Sequence, residues 1–169
     1  MFIETNRIDS KGLVLDDSVT LDENLLIEED GLFLEDIAYN IHLSREDDKI
    51  KAKGNLRTLL SIPCVRCLEP FELKVNSNFD IILFPVGMID STNPSLDPDD
   101  MEYIFFEGDR IDLAKILMEQ VNLFIPFKPV CNPNCKGLCP NCGANLNYEC
   151  CQCEDAFSDT HLLFDKIKR

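Results

Sequence analysis

The stretch Cys131-Asn-Pro-Asn-Cys135-Lys-Gly-Leu-Cys139-Pro-Asn-Cys142-Gly143, followed closely by Cys150-Cys151-Gln-Cys153, decides how this chain is built. It holds seven of the nine cysteines among 169 residues. The other two, Cys64 and Cys67, form a C-x2-C pair well upstream. The first residues, Met1-Phe2-Ile3-Glu4-Thr5-Asn6-Arg7, lack a basic head followed by an apolar run, so a secretory leader is not expected. An odd number of cysteines in such a chain argues against a disulfide framework. Thiols spaced two or three residues apart are better suited to holding a metal ion.

Cys139-Pro-Asn-Cys142-Gly143 is the strongest unit. Two thiolates two residues apart on a tight turn point the same way and chelate one tetrahedral ion. The glycine supplies the positive φ that such a turn needs. The partners of this pair lie eight residues on. Cys151 and Cys153 are spaced C-x-C, Cys150 and Cys153 C-x2-C, and spacing alone leaves both pairs open. Counting in fours gives two sites. The local one takes Cys139, Cys142, Cys153 and either Cys151 or Cys150; the long-range one takes Cys64, Cys67, Cys131 and Cys135. Closing so long a loop adds little entropy, because the cost grows only logarithmically with length. Metal binding, on the order of 10 kcal/mol, more than offsets it. The expected cofactor is zinc, at one or two ions per chain. Four-thiolate sites leave no open coordination position, so they are structural rather than catalytic. The competing class is an iron–sulfur or thiol redox protein. A zinc hydrolase is not expected, since His42 and His161 are the only histidines and neither sits in an H-E-x-x-H pattern.

Upstream of the cysteines the chain reads mostly as strand. Phe2 to Ile8 alternates partly. Leu32 to Leu43 runs near period two with one slip, as a bulged strand does. Ile50 to Ile62 is extended, with Gly54 as a bulge or break. Phe71 to Asn76 alternates cleanly after the Cys64/Cys67 turn, which predicts a hairpin with that turn at its tip, and Phe79 to Phe84 continues it. Residues 85–101 hold three prolines and four acids, an acidic excursion before a short strand at Met101–Phe106. Ile111, Leu113, Ala114, Leu117, Val121 and Phe124 form a helical stripe, with Asp112 at its start and Pro126 beyond its end. The expected fold is α+β, a twisted, mostly antiparallel sheet with one packed helix. It occupies residues 1–130, and a cysteine-rich metal-binding tail with a short terminal helix occupies 131–169.

Composition narrows the function. Hydrophobic residues make up 45% of the chain, enough for a packed core. No run of about 18 uncharged apolar residues is present to span a membrane, and the cytoplasm is the expected location. The net charge is −15. Residues 1–60 hold 14 acids and 7 bases, residues 61–110 hold 10 and 3, and residues 111–169 hold 7 and 6. The front two thirds would repel a polyanion and suit a basic protein partner. Candidate partner contacts are Arg66, Lys128 and Lys136, with Lys166, Lys168 and Arg169 at the end of the chain. They are too few for tight nonspecific binding to RNA.

Three stretches carry a family resemblance. These are Ser61-Ile-Pro-Cys64-Val-Arg66-Cys67-Leu68-Glu69-Pro70-Phe71, then Ile125-Pro126-Phe-Lys128-Pro129, then Cys131 through Cys142 and on through Gly143-Ala-Asn145-Leu146-Asn147. Together they resemble the YceD-like family, bacterial domains also described as large ribosomal RNA subunit accumulation proteins, with plastid relatives. The resemblance implies a non-enzymatic ribosome-biogenesis factor. Its partner would be a large-subunit ribosomal protein or a preribosomal particle. Alignment on Asn145-Leu146-Asn147 implies that Cys151 and Cys153 are the paired ligands and Cys150 an addition. Asp159-Thr160-His161 stands where the family often has Asp-Pro-Arg, so no role carries over for that arginine.

Overall fold

The computed structural model describes residues 1–86, 103–151 and 153. Nearly all of the expected acidic excursion, the expected terminal helix, His161, Lys166, Lys168 and Arg169 lie outside the described residues. The chain divides into two compact units, Met1–Ile62 with Glu72–Phe127, and Pro63–Phe71 with Lys128–Arg169. A division at residue 130 by chain position leaves the tip Pro63–Phe71 with the sheet. The contacts group it with the tail.

In chain order the strands are β1 (Phe2–Glu4), β2 (Leu13–Val19), β3 (Leu32–Phe33), β4 (Ile37–Glu46), β5 (Lys49–Pro63), β6 (Pro70–Pro85), β7 (Tyr103–Phe106) and β8 (Arg110–Asp112), followed by helix α1 (Leu113–Phe124). The main sheet is twisted and open, ordered β2-β4-β5-β6-β7, with β3 also paired to β5. A two-stranded ribbon joins β1 and β8. The pairs β2–β4, β3–β5 and β4–β5 are antiparallel, and β7 runs parallel to β6.

The sheet is one-sided because its strands alternate. In β4, Ile37, Tyr39, Ile41 and Leu43 are buried, while Ala38, Asn40 and His42 are not. Ile50, Ala52, Leu56, Leu60 and Ile62 of β5 continue the buried row, and Val75, Phe79, Ile81 and Leu83 do so in β6. The buried side of α1 is Leu113, Ile116, Leu117, Met118, Gln120 and Val121. Asp112 caps that helix, its Oδ1 accepting from Ala114 N at 3.1 Å and Lys115 N at 3.5 Å. The two residues expected as the helix start, Ile111 and Asp112, belong to β8.

The expected slip within Leu32–Leu43 is present. Phe33 pairs with Leu60 and Ala38 with Arg57, so five steps on one side face three on the other. Thr58 Oγ1 donates to Glu35 O at 2.8 Å across the step. Gly54 neither bulges nor breaks β5; it pairs directly with Ile41. A Cβ there would collide with the Asn40 carbonyl oxygen and stand 3.0 Å from Ile41 Cα. Strand β2 has no clear apolar alternation, since Asp16 and Asp17 interrupt it, and it forms by pairing its whole length with β4. Among the described residues no helix is long and apolar enough to cross a membrane.

Candidate metal centres

Both thiol groups belong to the second unit, and both start from the same turn. In the first, Cys64 N donates to Glu69 O at 2.9 Å and Leu68 N to Cys64 O at 2.8 Å. In the second, Cys139 N donates to Ala144 O at 2.8 Å and Gly143 N to Cys139 O at 2.9 Å. The residue after the second cysteine is left-handed in each, Leu68 at φ 60° and Gly143 at φ 75°. Glycine adopts this φ freely, whereas a leucine there costs about 1 kcal/mol. The two C-x2-C tips are thus one motif used twice.

The first tip meets the tail through the backbone. Val65 N donates to Pro129 O at 2.9 Å and Leu138 N to Arg66 O at 3.1 Å. Arg66 Nη1 donates to Cys135 O at 3.0 Å and to Pro133 O at 3.3 Å. The structure therefore employs Arg66, expected as a partner contact, in holding the Cys131–Cys135 loop. Lys128 and Lys136 are exposed. These bonds bring the Sγ atoms of Cys64, Cys67, Cys131 and Cys135 within 4.8 Å of one another. Cys64 and Cys135 Sγ stand 3.9 Å apart, and Cys67 and Cys131 Sγ 3.7 Å. Cys64, Cys67 and Cys135 are buried, with Phe71, Val130 and Leu138 packed round them. Arg66 N donates to Cys64 Sγ at 3.4 Å and Asn147 Nδ2 to Cys135 Sγ at 3.3 Å. Asn147 is itself held, since its Oδ1 accepts from Lys136 N at 2.8 Å and its Nδ2 also donates to Asn145 Oδ1 at 2.9 Å. Its role was not visible in the sequence, where an asparagine gives no sign of which backbone turn will aim it.

The second group gathers Cys139, Cys142, Cys151 and Cys153, again with all Sγ atoms within 4.8 Å. Leu138 and Asn145, on either side of the Cys139–Cys142 turn, form an isolated antiparallel bridge. Cys150 is exposed and stands outside both groups.

All nine cysteines are free thiols. The 3.7 and 3.9 Å separations far exceed the disulfide bond of about 2.05 Å. They match the edge of a tetrahedron whose corners lie about 2.3 Å from one ion, which is about 3.8 Å. Two four-thiol groups thus have the donor set and spacing to hold one ion each. Their protonation is divided. Burial would raise Cys64, but the backbone N–H groups of Cys131, Cys67 and Arg66 outweigh it and bring it to about 6. Burial and the neighbouring thiols of Cys135, Cys64 and Cys67 push Cys131 up to about 12. In the second group the N–H groups of Cys142 and Asn141 hold Cys139 at about 6. The Cys142 thiol and burial send Cys153 to about 12. Without a cation, thiolates this close cannot all ionise. Neither group contains a histidine or carboxylate.

A twisted open sheet and two four-thiol groups that could each hold a metal ion are the features that the described residues present. The model of the family described as large ribosomal RNA subunit accumulation protein YceD matches residues 52–168, and this chain belongs to that family. A chloroplastic large ribosomal RNA subunit accumulation protein YCED homolog 1 from Zea mays is 28% identical over 141 residues, covering 66% of this chain and 46% of the relative. Its Arabidopsis thaliana counterpart is 27% identical over 146 residues, covering 69% and 43%. An uncharacterized protein of Mycobacterium tuberculosis is 36% identical over 87 residues, covering 51% and 40%. The chain thus spans less than half the length of these curated relatives. No solved structure matches it.

Proposed function

We propose that the chain is a non-enzymatic, zinc-stabilised binding module that supports accumulation of the large ribosomal subunit RNA in the cytoplasm. The observation that carries the reading is the pair of closed four-thiol groups, whose sulfur spacing suits one tetrahedral ion each. Zinc held by four thiolates has no position for water or substrate, so it supplies folding energy and no chemistry. Cys64, Cys67, Cys131 and Cys135 would hold one ion, and Cys139, Cys142, Cys151 and Cys153 the other. Family membership supplies the ribosomal setting. The partner is a large-subunit ribosomal protein or a preribosomal particle, met by an acidic surface with exposed Lys128 and Lys136 assisting. Sedimentation tests this. The protein should travel with large-subunit precursors at low salt, and its loss should lower the large-subunit RNA. Absence from every particle fraction, with unchanged RNA levels, would overturn the reading.

Asn147 is the positioning residue of the first centre, because it donates to Cys135 Sγ at 3.3 Å. It is also the leading cause of the lowered Cys135 thiol. Outer donors of this kind change metal affinity by about 10- to 100-fold. Asn147→Ala should weaken one ion by that factor in competition with a chromophoric chelator, still loading fully at saturation. Unchanged affinity at both centres would remove Asn147 from this role.

A further inference from the structure

A groove of about 570 Å³ runs along α1 in the first unit. Ala114, Met118 and Asn122 stand one turn apart on its helical wall, beside Lys115, Glu119 and Leu123. Leu25 and Ile27 form the opposite wall. That wall is fixed by Asn122, whose Nδ2 donates to Leu25 O at 3.0 Å while its Oδ1 accepts from Ile27 N at 2.9 Å. The clamp holds two aliphatic side chains outward. Leu25 is 56% exposed, Ile27 69% and Leu123 63%. A single exposed leucine means nothing, but three large aliphatics fixed round one groove mark a surface that gains by being covered.

The charge around the groove selects the occupant. Its lining carries Asp112 and Glu119 against one base, Lys115, and beyond the lining Asp22, Glu23, Glu28, Glu29 and Asp30 flank Leu25 and Ile27 in the chain, with no base among residues 22–30. Such an acidic surround repels anionic lipid and nucleic acid and attracts a cationic partner. The helical wall from Ala114 to Leu123 is about 14 Å long at 1.5 Å per residue, room for two to three turns of a second helix.

We propose that this groove docks a basic amphipathic helix of a partner protein. Its apolar side chains, at helical spacing, cover Leu25, Ile27 and Leu123, and its lysines and arginines face the surrounding acids. The groove uses no residue of the thiol groups, so metal content and docking are tested separately.

The probe is a synthetic peptide of leucine and lysine, about 18 residues long, with leucine at helical spacing. Its controls are a scrambled isomer and a version with glutamate for lysine. Fluorescence anisotropy with the full chain should show the ordered peptide binding at least about tenfold more tightly than the scramble, and the acidic version not at all. Ile27→Asp and Leu123→Asp should each weaken it at least about tenfold. Both sites are exposed, so circular dichroism and melting of these variants should match the unsubstituted chain. Glu119→Lys is an independent arm, expected to weaken binding and flatten its salt dependence. Equal binding of the scramble, or undiminished binding by the folded Asp variants, would overturn the proposal. So would a chain that dimerises at micromolar concentration and becomes monomeric with Leu123→Asp, which would give the groove to a second copy.

Discussion

Protein prepared under reducing conditions without chelator is expected to carry two zinc ions per chain, and Cys67→Ser or Cys131→Ser to carry one. Cys142→Ser and Cys153→Ser should also each leave one, and Cys150→Ser should leave two. The four sulfurs of each group approach within 4.8 Å, yet one thiol in each lies near 6 and another near 12, so the full thiolate set needs a divalent cation. Each structural zinc of this kind contributes about 10 kcal/mol of coupled folding energy at neutral pH. Chelation should therefore unfold the second unit. The first keeps its sheet, since no cysteine lies within Met1–Ile62 or Glu72–Phe127. Far-UV circular dichroism and amide exchange read the two outcomes separately. Iron in place of zinc, seen as charge-transfer colour, would favour the redox class instead. A single ion retained in Cys67→Ser and in the unsubstituted chain alike would remove the first centre.

Gly54→Val should destabilise the first unit by about 3 kcal/mol or more, a large share of the stability of a domain this size. Gly54 faces Ile41 in the β4–β5 register, flanked by the Asn40–Asn55 pair. An added Cβ collides with the Asn40 carbonyl, and Ile41 Cα and Cγ1 stand 3.0 Å away. The obstruction is backbone, which cannot rotate aside as a side chain can. Relief requires separating two strands that bury Ile37, Ile41, Leu56 and Leu60 completely. Gly54→Ala should show the same sign with a smaller effect. Urea unfolding followed by circular dichroism measures both, with metal present throughout. A Val variant within about 0.5 kcal/mol of the original would show that the strands part more easily than this geometry implies.

Much of this architecture was legible because its signals are local. The α1 stripe and its Asp112 cap depend on neighbours three or four residues away; the structure shows the cap and buries Leu113, Leu117 and Val121 of the stripe, while Phe124 is exposed and Ile111 belongs to β8. The slip in Leu32–Leu43 likewise left its mark as a break in alternation. Gly54 misled because glycine has two uses in a strand, bending it or admitting a neighbour, and only the facing Asn40 carbonyl distinguishes them. Strand β2 was unreadable because Asp16 and Asp17 interrupt its alternation, and pairing with β4 overrides composition. At the thiols, cysteine spacing identified the knuckles. Spacing could not separate Cys150 from Cys151; that choice followed the family pattern, and the fold places Cys151 in the group. Arg66 and Asn147 acquire their bonds only when residues 67 to 69 positions apart, or a tight turn, bring carbonyls and sulfur to them.

The first knuckle also sets a timetable for synthesis. Cys67 and Cys131, whose sulfurs meet at 3.7 Å, are 64 positions apart in the chain. At about 5–20 residues per second, Cys64 and Cys67 leave the peptidyl transferase centre roughly 3–13 seconds before their partners exist. During that interval the nascent chain presents a bare dithiol, open to oxidation or to a stray ion. Only when Cys131 and Cys135 have been made can the earlier pair find its partners, so the first four-thiol group closes after the strands that separate its two halves have been translated.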